Sequence, residues 1–373
     1  MMRLIFVLLA ALLILPAQAA EPFKFGISAG LTGYAATVDT AWRDGVLLAA
    51  EALNKQGGIL GHPIEVVVED NRSEPQEAVT AYRKMIGTDH VNVFVSGCVS
   101  AGNFAAAPMV VRAAVPMVLC SILPNPADQV KWAFTTIPPP RFEVEKRLDY
   151  LRDTGLKRFG LLHDPSPYAN LQATIAVKQA PESGLTMVDN EQYRQDDSDL
   201  SVQISKINAA GGQALVKIGL GGSTLTAARN MKQLGLDMPM LMSLEDLNVF
   251  RPVAEVMGDK FFFVAAPSQV FESLPDGALK QAIAEFLTPW RAKYGDRDPN
   301  WAARGWDAVM LSAAAAKKMN SIEGAAIRDG LDALGPTQGT IGVYEFTAEN
   351  HYGITKNPLV LARIVGGRTE IVK

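Results

Sequence analysis

Apolar residues in this chain fall in short runs rich in Val, Ile and Phe, separated by longer stretches with an apolar residue every third or fourth position. The first run, 23–28, predicts a strand. A helical pattern over 39–55 follows, with Val46, Leu47, Ala50 and Leu53 on one face and Gly57-Gly58 as its stop. The alternation continues as strand 64–68, helix 74–86, strand 91–95, helix 104–113 and strand 116–120. Strands apolar on both sides, each followed by a helix, predict a parallel sheet covered on both faces.

Pro138-Pro139-Pro140 breaks the alternation, which then restarts. Helices are expected over 142–151, 168–179, 199–209 and 224–234, with strands over 158–162, 186–188, 214–218, 240–242 and 260–264. This is a second doubly wound α/β unit, and the proline triplet suits a stiff segment crossing between two lobes. Helices over 277–294, 301–318 and 322–331 and strands over 343–346 and 359–364 complete the chain. That helical stretch is too long to cap the second lobe alone. It is expected to return to the first, making both lobes discontinuous.

Composition narrows the class. At 373 residues, 48% hydrophobic and 20% charged, the chain has room for two domains and a core that needs no disulfide or metal to fold. The 35 Lys and Arg against 39 Asp and Glu give a net charge of −4 without basic blocks, which argues against nucleic acid as a partner. Arg3, the apolar run 4–15, Pro16 and Ala17-Gln18-Ala19 predict a signal peptide over 1–19, too short to anchor in a bilayer. No cysteine lies near the cleavage site, so the mature protein is expected to be exported without a lipid anchor. The uncharged stretch 91–111 contains Asn92, Ser96, Gly97, Ser100, Gly102, Asn103 and Pro108, which disqualify it as a membrane helix.

Candidate chemistry is sparse. Cys98 and Cys120 each end an apolar run, and read either as two buried thiols or as one disulfide in an oxidising compartment. Gly26-Ile27-Ser28-Ala29-Gly30 matches the nucleophile-elbow pattern, but several residues separate Ser28 from the next helix, whereas an elbow serine opens its helix at once. It reads as a glycine-rich turn at the mouth of a strand. The run 219–224, Gly-Leu-Gly-Gly-Ser-Thr, lacks a complete dinucleotide or phosphate-loop pattern and reads as a turn whose N–H groups suit a carboxylate. His62, His90, His163 and His351 have no metal-ligand spacing, so neither a metal nor another cofactor is expected. No nucleophile, base and oxyanion hole assemble, and an enzyme is not expected. Strand ends converging from two lobes instead make a cleft for a small molecule.

The run from Asp44-Gly45-Val46 through Asn54-Lys55-Gln56-Gly57-Gly58-Ile59-Leu60-Gly61-His62-Pro63 to Val68-Glu69-Asp70 resembles the leucine/isoleucine/valine-binding type of periplasmic solute-binding proteins, which feed ABC importers. Gly97-Cys98-Val99-Ser100, Asn125-Pro126, His163-Asp164 with Tyr168, Gln233-Leu234-Gly235-Leu236 before Glu245, and Ile341-Gly342 extend the likeness over the mature chain. The resemblance implies a type I periplasmic binding protein fold: two doubly wound lobes joined by three crossover segments, near 136–139, near 265–267 and near Tyr344. It divides the chain into residues 20–138 plus 267–343 and residues 139–266 plus 344–373.

The resemblance also implies a monomer that hands its ligand to the membrane permease of an ABC importer, and an apolar, branched-chain type amino acid as ligand. Ser100 matches the serine that holds the α-carboxylate, helped by the turn around Ser121 and Leu123. Tyr168 and Glu245 match the second-lobe groups that reach the α-ammonium. Tyr34 is expected to wall the pocket and Gly222 to offer a turn N–H. The chain departs from the family at Ser121-Ile122-Leu123-Pro124, where a small turn is usual, and at Val38, where leucine-binding relatives carry a tryptophan. Pro124 removes a donor and Leu123 adds bulk. These departures motivate an alternative ligand, a small aromatic or hydrophobic carboxylate. A sensor that signals to a membrane receptor is the alternative role.

Overall fold

The computed structural model describes residues 20–124 and 130–372. The expected signal peptide and Asn125-Pro126 lie outside the described residues. Strand β1 (Phe23–Ala29) is followed by α1 (Ala36–Asn54), β2 (Ile64–Asp70), α2 (Pro75–Lys84), β3 (Val93–Phe94), α3 (Ser100–Ala113), β4 (Met117–Leu119) and β5 (Ala133–Thr135). The strands form a parallel sheet in the order β2-β1-β3-β4-β5. Phe23, Phe25 and Ile27 of β1 are fully buried, as expected of a strand covered on both faces.

Past the proline triplet come α4 (Arg141–Asp153), β6 (Arg158–His163), α5 (Pro167–Glu182), β7 (Thr186–Gln192), α6 (Ser201–Ala209), β8 (Ala214–Ile218), α7 (Ser223–Gln233), β9 (Met240–Met242), α8 (Leu247–Met257) and β10 (Phe261–Ala265). The chain then carries α9 (Ala278–Tyr294), α10 (Asn300–Met319), α11 (Gly324–Asp332), the short ribbon β11 (Thr337–Gln338) with β12 (Val343–Tyr344), and the final pair β13 (Val360–Val365) and β14 (Arg368–Ile371). The second sheet runs β14-β13-β10-β9-β8-β6-β7, parallel except where β13 and β14 join antiparallel.

The late helices return to the first lobe. Helix α10 lies along α1 at a distance only glycine permits: a Cβ on Gly45 would sit 1.9 Å from the Ala302 carbonyl oxygen, and one on Gly305 would sit 2.4 Å from that of Trp42. The third passage between lobes falls later than Tyr344. His351 stacks on Phe134, and its carbonyl accepts from Thr135 N, so this segment borders β5. Asn357 then bonds the Phe142 carbonyl in the second lobe. Four of these elements, strands β5, β11 and β14 and helix α8, escaped the sequence pattern. Helix α8 contains Pro252, and Asp246 caps it by accepting from Asn248 N. Strand β14 is too polar to stand out.

Candidate functional site

A cavity lies between the lobes, at the carboxyl ends of the parallel strands of both sheets. The first lobe contributes Tyr34, Cys98, Ser100, Cys120, Ser121, Ile137, Trp301 and Arg304; the second contributes Glu143, Asp164, Ser166, Tyr168, Leu220 and Leu244. The cavity is small, about 30 Å³, where one water needs about 10–15 Å³. That is room for two or three waters in the arrangement described.

On the first-lobe side, Ser100 is the first residue of α3, and its hydroxyl caps nothing. The Ser121 hydroxyl accepts from Asn103 Nδ2 at 2.9 Å and donates to the Ile122 carbonyl, tying the turn after β4 to α3. A disulfide joins Cys98 to Cys120 with their Cα atoms 4.6 Å apart, which decides between the two cysteine alternatives. It staples the loops after β3 and β4 beside these serines. Beneath them Asp39, fully buried, accepts from Gly30 N and Cys98 N, both at 2.6 Å. Burial pushes its carboxyl up to about 7. Asp39 and the two sulfurs lie within 4.8 Å of one another. Both sulfurs are spent on each other, so this group offers a metal no thiolate.

On the second-lobe side, Ser166 caps α5 by accepting from Ala169 N, and the first turn of that helix presents Tyr168. The Tyr168 hydroxyl donates to Glu143 Oε1 at 2.7 Å, and Leu244 N donates to Glu143 Oε2 at 2.8 Å. Burial and the Glu143 carboxylate raise the Tyr168 phenol well above its usual value. Asp164 accepts from Ser166 N at 2.8 Å and from Gln195 Nε2 at 2.6 Å. Arg147, one turn beyond Glu143 on α4, is buried with Nη2 bonded to Gln172 Oε1.

Four of the seven residues expected from the sequence, Tyr34, Ser100, Ser121 and Tyr168, share this cavity. Glu245 does not line it. It is fully buried behind the wall, accepting from Gly221 N at 2.9 Å and Asp246 N at 2.8 Å, and burial raises its carboxyl to about 7. The second-lobe carboxylates that do face the cavity are Glu143 and Asp164. Leu123 lies off the walls, its N–H donating to Tyr352 Oη at 3.4 Å. Gly222 sits at the N-terminus of α7, also off the cavity. Val38 is core, and the indole beside the cavity comes from Trp301.

Glu143, Trp301 and Arg304 went unread because their helices look like ordinary amphipathic cover. A signal was present: Asn300, Arg304 and Asp307 recur at helical spacing inside an otherwise apolar helix, and Glu143 and Arg147 do so on α4. All five are buried.

Two α/β lobes facing each other across a cavity at their strand ends define a two-lobed ligand-binding protein. The chain belongs to the periplasmic binding protein family, whose model matches residues 22–368, and its fold is the type I fold that the sequence resemblance implies. It is 27% identical over 223 residues to the leucine-, isoleucine-, valine-, threonine- and alanine-binding protein of Pseudomonas aeruginosa, covering 59% of this chain and 60% of that one. The chain thus spans about three fifths of that relative's length. An extracellular ligand-binding receptor from Rhodopseudomonas palustris superimposes with a TM-score of 0.85 at 22% identity, covering 95% of this chain and 100% of that one. The branched-chain amino acid transporter substrate-binding protein LivJ of Streptococcus pneumoniae, solved with isoleucine, does so at 0.79 and 23% identity, over 94% and 99%. Among the described residues no helix is long and apolar enough to cross a membrane.

Proposed function

We propose that the chain is the exported solute-binding component of an ABC importer, without catalytic activity, and that it holds a small carboxylate with an apolar body between its lobes before delivery to a membrane permease. The observation that carries this reading is the cavity itself: its walls come from both lobes, so a ligand touching both stabilises the closed arrangement. Ile137, Leu220, Leu244 and Trp301 supply apolar surface. The names of the Pseudomonas and Streptococcus relatives support an amino acid as the ligand, and Glu143 with Tyr168 is the feature that suits its ammonium. A simple acid shares the carboxylate and the apolar body.

A melting-temperature screen of the mature protein against amino acids and small organic acids tests the proposal. A ligand at 100 to 1,000 times its Kd stabilises by about 2.7–4.1 kcal/mol. Small-angle scattering with the best ligand is expected to show compaction. No shift with any carboxylate in the screen rejects this ligand class, and a shift without compaction rejects the closing cleft.

A further inference from the structure

Arg304 is fully buried, sits on α10 and lines the cavity, yet no carboxylate bonds it among the described residues. Its Nη2 donates to Asn300 Oδ1 at 2.7 Å, while Nε and Nη1 meet no acceptor. The guanidinium lies 4.5 Å from the Trp301 ring centroid, which holds its plane, and the Trp301 Nε1–H is likewise buried without a partner. Its neighbours are committed elsewhere. Asp307, one turn on, accepts from Thr340 N, Thr340 Oγ1 and Tyr344 Oη. Glu143, across the cavity, accepts from Tyr168 and Leu244.

The balance of donors and acceptors has a direction. Buried guanidinium N–H groups without acceptors are costly, and burial works against the charge itself, lowering the Arg304 pKa from its usual value. A ligand carboxylate would supply acceptors and countercharge together, and a planar guanidinium already fixed by Asn300 and Trp301 suits two parallel bonds to it. An ammonium group is served less well, since the acceptors it would meet already take protein donors. The two carboxylates that face the cavity, Glu143 and Asp164, each have both oxygens engaged by protein donors.

We infer that Arg304, with the Trp301 indole N–H, is the carboxylate seat of the cleft, and that its ligand class is a monocarboxylate with an apolar aliphatic or aromatic body and no ammonium group. This rests on the solute-binding reading above and deepens it. The seat belongs to the first lobe, so the acid docks there and the second lobe closes over its body.

The test is a matched series measured by calorimetry on the unmodified protein. 4-Methylpentanoate is leucine without its ammonium, and 4-methylpentanamide is the same body without charge; benzoate and benzamide repeat the comparison with a ring. At least one acid is expected to bind about tenfold or more tighter than both its amide and leucine. Arg304→Gln should weaken acid binding about 30-fold or more, as truncation of a buried charge pair does. Arg304→Lys, which keeps charge but loses the fork, should fall between. Leucine binding more tightly than 4-methylpentanoate, or amides matching their acids, overturns the assignment while leaving the solute-binding reading in place. So does Arg304→Gln binding acids like wild type. Failure of every acid, amide and amino acid to bind removes the underlying reading instead. The ligand series needs no variant, so a poorly folding Arg304 substitution does not shelter the inference.

Discussion

Removing the Cys98–Cys120 disulfide should loosen the first lobe and the ligand loops together. The bond closes a segment with a sequence separation of 22 between the ends of β3 and β4. The chain-entropy relation for a loop of that length gives about 3.4 kcal/mol of stabilisation at 25 °C. At about 2–4 °C per kcal/mol for a unit of roughly 200 residues, the first-lobe transition should fall by about 7–14 °C. A double Cys98→Ala, Cys120→Ala variant and the reduced wild type should agree, since they reach the same unstapled loops by different routes. Affinity should fall about 3- to 10-fold for whichever ligand stabilises the wild type, because Ser100 and Ser121 must then be ordered on binding. Differential scanning calorimetry and titration calorimetry read the two effects, with thiol titration in denaturant confirming the oxidised state. A double variant melting within about 1 °C of an oxidised wild type would refute the entropic argument. Free thiols in the untreated protein would remove its premise.

Three further outcomes are expected. Burial raises the carboxyls of Asp39, Glu245 and Asp307 to about 7 and that of Asp246 to about 8. The folded state therefore holds protons that the unfolded chain releases, and stability falls as pH rises from about 5 to about 8. Lys217, lowered to about 8 by burial, acts in the opposite sense above that window. A melting temperature that is flat or rising between pH 5 and 8 contradicts these shifts. Gly221→Ala places a Cβ 2.8 Å from the Tyr34 carbonyl across the cleft, at a φ of +79° that costs a side chain about 1–2 kcal/mol. Ligand affinity should drop about tenfold and compaction should weaken in scattering; unchanged values would show that this contact does not limit closure. Glu245→Ala strands two buried backbone N–H groups at about 1–3 kcal/mol each. It should lower the melting temperature yet leave affinity within about threefold, and a larger loss of affinity would return Glu245 to the ligand.

The layout of the chain was legible in its residue pattern. Strand and helix periodicities differ, and the core strands of this chain are mostly apolar on both faces, with few exceptions such as Lys217 in β8. The run of β8 at 214–218 and the helix before the Gly57-Gly58 stop were therefore legible without coordinates. The return of the late helices to the first lobe followed from their length. The family was legible from motifs spread along the chain, and so were Tyr34, Ser100, Ser121 and Tyr168 at the cavity. Helix α8 was hidden by Pro252, whose cost its buried apolar face offsets only in the folded protein.

Which carboxylates face the cleft, and what lies opposite them, follows from packing between distant segments. Glu143 and Glu245 are both buried acids of the second lobe. Which one reaches the cavity depends on where α4 and the loop after β9 place their backbones. Arg304 reads in sequence as one charge in a covering helix. It becomes a cleft residue because Gly45 and Gly305 let α10 approach α1 closely, burying that helix face beside Ser100 and the disulfide. Local pattern specifies elements, because neighbouring residues set it. The partners of a buried charge come from segments more than 150 residues apart, and packing alone brings Arg304 and Glu143 to one cavity.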